Sequence, residues 1–202
     1  MHLSYTIIDD FFPDPDRVRE AALALDYPVP EKMEFYPGRN STEALKFDGL
    51  DERISQIVGR RVVKHPETTS GATRIALEGD TSEVNVHVDR SDWSAIIYLS
   101  LDEHARGGTD FFQHKRTGMD RAPVFPEDLQ QLGYTSPMQM WDDVFWPDTN
   151  RPEAWEKTFT IPMRFNRMAL FRSYLWHNAT PGFGTDLNNG RLILTYFFKD
   201  AG

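Results

Sequence analysis

The stretch Glu83-Val84-Asn85-Val86-His87-Val88-Asp89 alternates polar and apolar residues without a break. In an extended chain residues two apart share a face, so the three valines point one way and Asn85, His87 and Asp89 the other. The period predicts a strand over 83–89. A polar face opposite an apolar one also fits the exposed edge of a half-buried strand, and His-x-Asp alone is a weak signal.

The same texture continues on either side, as short β-type runs with turn residues between them at 74–77, 93–99, 109–113, 167–172 and 191–198. Upstream, Tyr5-Thr6-Ile7-Ile8 reads as a short strand stopped by Asp9-Asp10. Asp14 then caps a helix with Pro15 at its first position; Val18, Ala21, Ala22 and Leu25 fall on one face, and Tyr27-Pro28-Val29-Pro30 ends it. Residues 35–41 read as an ordered loop. A second helix from about Asp51 gathers Leu50, Ile54 and Ile57, and Gly59 closes it. Regular strands after N-terminal helices suggest an antiparallel sandwich or barrel with flanking helices, a mainly β arrangement of the α+β class.

One segment breaks the pattern. Residues 115–162 carry prolines at 123, 126, 137, 147, 152 and 162 and tryptophans at 141, 146 and 155, with short helical fragments at 126–132 and 152–157. A connection this long is usually a functional lid or a linker, and its aromatic content argues against disorder. A static cap on one sheet face is the other reading. We therefore expect one domain over 1–202, with helical support over about 1–72 and an insertion or lid over about 115–162.

Composition bounds the chemistry. With 202 residues, 40% hydrophobic and 26% charged, the chain is an ordinary globular one, and it loses roughly 70% of its unfolded surface on folding. A net charge of −9 argues against nonspecific binding to nucleic acid or to an anionic membrane. There is no cysteine, so a metal would be held by imidazole and oxygen ligands. Residues 1–10 do not read as a signal peptide and no long apolar run reads as a membrane span, so a cytoplasmic protein is expected.

The second half of the chain supplies partners for His87 and Asp89. His177 follows the apolar run 167–172, and fourteen residues later Arg191 opens Leu192-Ile193-Leu194-Thr195-Tyr196-Phe197-Phe198. An arginine leading into an apolar strand is costly unless it meets an anion, and Thr195 shares its face, so both could reach one carboxylate. Arg191 also fits an ordinary strand-end surface residue. Two imidazoles and a carboxylate on one face of iron(II) leave three positions open, enough for a chelating 2-oxo acid and dioxygen, with an arginine for the distal carboxylate.

These motifs occur in the order His87-Val88-Asp89, Ile96-Ile97-Tyr98-Leu99-Ser100, Gly107-Gly108-Thr109-Asp110-Phe111, Met168-Ala169-Leu170-Phe171 before His177, and Arg191-Leu192-Ile193-Leu194-Thr195. Over 83–198 the chain resembles the 2-oxoglutarate/iron(II) dioxygenases of the double-stranded β-helix (jelly-roll, cupin-like) fold, in their prolyl-hydroxylase-like branch; residues 7–12 resemble that branch's opening strand. The resemblance implies that His87, Asp89 and His177 bind iron(II), that Arg191 pairs with 2-oxoglutarate, and that Tyr98 and Thr195 assist it. It further implies consumption of O2, release of succinate and CO2, and ascorbate as a reductant. Retention of Asp89 favours hydroxylation over halogenation. Two departures are the long interval from His177 to Arg191 and the 115–162 segment.

For the substrate we expect a small molecule or amino-acid-type compound, with a peptidyl (prolyl-type) hydroxylase or a non-oxidative cupin-like metal-binding module as alternatives. Candidate pocket residues are Asn85, Arg39, Arg74 and Trp176, with Asn40 and Arg172 beside them. His104 and His114 are expected at the surface or behind the site, His65 and His2 in bland positions, and Trp141, Trp146 and Trp155 as packing anchors. An open jelly-roll edge would allow a homodimer.

Overall fold

The computed structural model describes residues 3–29, 31 and 36–202. Its strands are β1 (Tyr5–Ile8), β2 (Arg39–Ala44), β3 (Val62–Lys64), β4 (Ala72–Ala76), β5 (Trp93–Tyr98), β6 (Gly108–His114), β7 (Trp155–Pro162), β8 (Met168–Arg172), β9 (His177–Ala179) and β10 (Arg191–Asp200). They form two antiparallel sheets. The larger runs β1-β8-β5-β10-β4-β2 with β3 also on β10, and the smaller runs β7-β6-β9. This is a jelly roll with flanking helices, as the alternation and the resemblance led us to expect.

The alternation of each strand decides what lies on each side of the larger sheet. Leu192, Leu194, Tyr196 and Phe198 of β10 join Trp93, Ala95 and Ile97 of β5 and Met168 and Leu170 of β8 in the main core. Helix α1 (Pro15–Leu23) closes that core with Val18 and Ala22, and α2 (Leu50–Val58) with Leu50 and Ile54. The opposite parity, Tyr98, Ala169, Phe171 and Ile193, faces the smaller sheet and packs on Phe111, Ile161 and Leu175.

Both helices end as their sequences dictate. Asp14 accepts a hydrogen bond from the Arg17 N–H, with Pro15 in the first turn, and Gly59 closes α2 at φ 72°. Of the face expected on α1, Ala21 is exposed and Leu25 lies beyond the last turn. Pro30 and Phe35, named in the expected turn and loop, and His2 lie outside the described residues.

Three expectations change. Residues 83–89 do not form a named strand; their alternation survives in the burial of Val84 and Val86, but the only ladder contact among the described residues is a bridge between His87 and His177. The loop expected over 35–41 gives way to β2 from Arg39, an edge strand whose polar sequence Arg-Asn-Ser-Thr-Glu-Ala hides its conformation. The fragment at 152–157 is a short 3-10 turn, Pro152–Ala154, followed by β7. Between β6 and that turn lie α3 (Pro126–Gln131), α4 (Pro137–Met140), a π-helical turn (Trp141–Phe145) and α5 (Trp146–Asp148).

This segment is tied to the strip 83–89. The Val86 N–H donates to the Thr149 carbonyl (3.2 Å), the Thr149 hydroxyl donates to the Val86 carbonyl (2.7 Å), and Asn150 Nδ2 donates to the Glu83 carbonyl (2.6 Å). Thr149 thus supplies the backbone partners that a neighbouring strand would otherwise give. Asp148, just before it, is 4% exposed and bound by His114, Arg116 and Arg151.

Candidate metal and carboxylate site

His87 and His177 sit directly opposite one another. The His87 N–H donates to the His177 carbonyl (2.9 Å) and the His177 N–H to the His87 carbonyl (3.0 Å), the paired bonds of an antiparallel bridge. That arrangement sends both imidazoles to the same side, with ring centroids 4.4 Å apart. Asp89 follows two residues on, its N–H held by the Ser173 carbonyl at 3.0 Å. One ligand atom from each of His87, Asp89 and His177 lies within 4.8 Å of the others.

The tautomers are set by local backbone. His87 Nδ1 bonds the Asn85 carbonyl and His177 Nδ1 bonds the Leu175 carbonyl, both at 2.8 Å. A carbonyl only accepts, so each Nδ1 carries a proton and each Nε2 is the nitrogen left to face Asp89. Those Nε2 atoms lie 3.9 Å and 3.3 Å from the Asp89 carboxylate oxygens. Burial, with the neighbouring His177, holds His87 down to about 4, so its imidazole is neutral at ordinary pH. Burial would raise Asp89, but His177, His87 and Ser94 outweigh it and bring the carboxyl down to about 2. Two imidazole nitrogens and a carboxylate converge, and among the described residues no other group of three could hold a metal. The donor set fits a divalent first-row ion with open positions.

Two neighbours of Asp89 were not legible as such. The Ser94 hydroxyl donates to Oδ2 at 2.5 Å, and the Tyr36 hydroxyl lies 3.5 Å from Oδ1, its ring 4.5 Å from that of His87. The backbone around Tyr36 is seated on β4: Arg74 Nη1 donates to the carbonyls of Tyr36 (2.7 Å) and Pro37 (2.8 Å), and its Nε to Asn40 Oδ1 (2.9 Å). Gly38 completes the seat, at φ 86°, because a Cβ there would lie 2.1 Å from the Ile75 carbonyl oxygen.

Arg191 starts β10 opposite Ala76 of β4, on the face turned to the smaller sheet. It is 1% exposed. Its Nη2 donates to the Gly108 carbonyl at 3.0 Å, its Nε is buried with no hydrogen-bond partner, and no carboxylate lies within 4 Å among the described residues. Burial lowers its pKa from the usual arginine value. A buried guanidinium with an orphaned N–H is costly, and a carboxylate ligand would relieve it. Tyr98, on the same face, is fully buried; its hydroxyl contacts Thr109 Oγ1 (2.8 Å) and the Ile161 carbonyl (3.3 Å). Thr195 keeps the same parity as Arg191, and its hydroxyl donates to the Ala72 carbonyl at 3.2 Å.

The remaining candidates separate by register. Arg74 lies on the inner face beside Asn40, whereas Arg39 pairs with Ile75, whose side chain is in the helix-side core, so Arg39 is on the face away from Arg74. Asn85 is exposed and accepts a short hydrogen bond from Asn178 Nδ2. Trp176 does not share the face of His177. It packs with Val84, Val86, Phe145 and Trp155, and its Nε1 is buried without a partner. Arg172 stacks its guanidinium 4.0 Å above Trp93, on the helix side. His114 is buried rather than superficial, its Nε2 3.0 Å from Asp148 Oδ2. Trp155 is buried, while Trp146 is 51% exposed. Two open clefts, of about 260 Å³ beside Arg106 and Thr180 and about 490 Å³ beside Arg116 and Arg151, include none of the three convergent residues.

Residues 2–198 match a family of unknown function (DUF6445). No curated protein matches the sequence. Among solved structures, the chain is similar to the non-heme alpha-ketoglutarate-dependent carbocyclase SnoK from nogalamycin biosynthesis, with 13% identity, a TM-score of 0.55, and 99% of this chain and 81% of that one covered. It is also similar to the non-heme alpha-ketoglutarate-dependent epimerase SnoN of the same biosynthesis, at 11% identity and TM-score 0.50, with 99% and 80% covered. At these identities the likeness is one of fold: the architecture is that of the 2-oxoglutarate/iron(II) oxygenases. No helix among the described residues is long and apolar enough to cross a membrane.

Proposed function

The chain belongs to the DUF6445 family, and we propose that it is an iron(II)- and 2-oxoglutarate-dependent oxygenase that hydroxylates a small molecule or amino-acid-type substrate. The observation that carries this reading is the combination of a convergent His-Asp-His group with a buried arginine that lacks an anion. A metal-binding module without oxidation would need the first and not the second.

In this reading His87, Asp89 and His177 hold iron(II), and Arg191 pairs with the distal carboxylate of 2-oxoglutarate, assisted by Tyr98 and Thr195. When bound, the metal and co-substrate supply the oxidation: dioxygen and 2-oxoglutarate become succinate and CO2 as a substrate C–H becomes C–OH. The chain's own part is placement. The Nδ1–carbonyl bonds keep both imidazoles turned toward the metal, and Phe111 and Phe171 pack around His177. The Arg191 guanidinium, fixed by the Gly108 carbonyl, would hold the co-substrate's carboxylate in one orientation. Gly108 itself must be glycine, since a Cβ would lie 1.9 Å from the Ile161 carbonyl oxygen.

Succinate formation by purified protein with iron(II), ascorbate, oxygen and 2-oxoglutarate tests the reading, beside a His87→Ala control. Turnover that disappears in the control supports it. No turnover, together with no 2-oxoglutarate binding to anaerobic metal-loaded protein, would leave the cupin-like module in its place.

A further inference from the structure

Behind Asp89 lies a row of three serines that no step of the proposed reaction uses. Ser94 Oγ is 2.5 Å from Asp89 Oδ2, Ser173 Oγ is 2.7 Å from Ser94 Oγ, and Ser91 Oγ is 2.6 Å from Ser173 Oγ. Ser94 is 1% exposed and Ser173 fully buried. Each hydroxyl has one proton, and an ionised carboxylate only accepts. The Ser94 proton is therefore committed to Asp89, so Ser173 must donate to Ser94. Ser91 then donates to Ser173, its alternative acceptor being the Trp93 carbonyl at the longer distance of 3.3 Å. All three O–H bonds point along one line into one oxygen of the carboxylate, an arrangement in which each bond strengthens the next.

The two oxygens of Asp89 are thus unequal. Oδ2 is fixed by a short bond from a buried donor and lies 3.3 Å from His177 Nε2, while Oδ1 has the Tyr36 hydroxyl at 3.5 Å and His87 Nε2 at 3.9 Å. The backbone shares the restraint, because the Asp89 N–H is bonded to the carbonyl of Ser173 itself. A carboxylate without that bond is free to rotate about its Cβ–Cγ bond; the short bond at Oδ2 uses one of that oxygen's two lone pairs and fixes the plane of the group, and with it the lone pairs that face the two imidazoles.

We infer that Ser94 is a positioning residue, which, backed by Ser173 and Ser91, fixes the rotation of the Asp89 carboxylate and so the lone pair it would present to a metal beside His87 and His177. The inference rests on the metal-site reading above and deepens it. Partners that orient metal ligands from outside typically govern affinity by 10–100-fold.

The test uses full-length Ser94→Ala and Ser173→Ala proteins, checked for a native thermal midpoint, with cobalt(II) as the probe. Apoprotein is titrated with cobalt(II), and 2-oxoglutarate is then titrated into the cobalt-saturated protein without oxygen. Ser94→Ala should bind cobalt roughly tenfold or more weakly. It should also bind 2-oxoglutarate more weakly at saturating cobalt, with a change in the visible cobalt spectrum that reports coordination number. Ser173→Ala should move the same way by less. A Ser94→Ala protein that binds both with wild-type affinity and spectrum overturns the serine's role and leaves the metal site standing. A wild-type protein that takes no cobalt overturns the metal site, and the inference with it.

Discussion

Replacing Arg191 by methionine should stabilise the free protein while weakening its affinity for 2-oxoglutarate by roughly 30-fold or more. The side chain is 1% exposed, holds a charge with no carboxylate near it among the described residues, and leaves its Nε unbonded. Its one acceptor, the Gly108 carbonyl, also receives the Thr180 N–H and hydroxyl, each at 3.2 Å, so removing the guanidinium orphans nothing. Methionine matches the stem in length and bends to fill space. Exchange of a buried charge for a well-packed apolar side chain is neutral or stabilising by about 1–4 kcal/mol. Loss of one partner from a buried charge pair costs about 2–5 kcal/mol, roughly 30- to 5,000-fold in Kd. In wild type, 2-oxoglutarate at about a hundred times its Kd should add ~2.7 kcal/mol, a rise of about 5–11 °C in thermal midpoint at this chain length. Thermal melts of metal-loaded protein with and without the ligand read both effects together. An Arg191→Met protein whose midpoint rises with 2-oxoglutarate as far as wild type's refutes the carboxylate clamp. One whose ligand-free midpoint falls sharply shows that the guanidinium is a structural brace instead.

Three further outcomes follow from the geometry. Thr149→Ala removes a buried 2.7 Å bond to the Val86 carbonyl and should cost about 1–2 kcal/mol, seen as a midpoint lower by about 2–8 °C, with weaker metal binding in the same protein. Burial holds His114 below its usual pKa despite Asp148, so the unfolded chain takes up that proton more readily. Stability contributed by neutral His114 should therefore be intact above about pH 6.5 and decline as pH falls below it, a slope that urea midpoints should show reduced in His114→Gln. Cobalt(II) should raise the thermal midpoint of wild type, a chelator should reverse the rise, and His177→Ala should show neither; an equal rise in that variant would remove His177 from the site.

What could be read in advance was whatever has a period. The alternation at 83–89 put His87 and Asp89 on one face, and the apolar run after Arg191 predicted β10, while the burial of that arginine stayed open because a strand-end surface position also fitted. Edge elements were hidden because little of them is buried. Strand β7 buries Trp155 and Ile161 in an otherwise exposed or half-buried row, and β9 has three residues. Register was hidden as well: Arg39 and Asn40 were both candidates, and only the pairing with Ile75 and Arg74 says that Asn40 turns inward. Ser94, Ser173 and Thr149 act through single hydroxyls brought together across 79 and 63 residues, and no local pattern encodes such a meeting.

The bonds from Thr149 and Asn150 to the His87 strip bear on how this family can diversify. Surface insertions are ordinarily exchangeable cassettes, free to drift or be grafted because the scaffold does not depend on them. Here the segment between β6 and β7 is stitched to the backbone that carries two of the three convergent residues, and Asp148, gripped by His114, Arg116 and Arg151, is the knot. A chimera that swaps this segment whole should lose metal along with specificity. One that retains 148–150 and varies 120–145 should keep the metal and change only what approaches it.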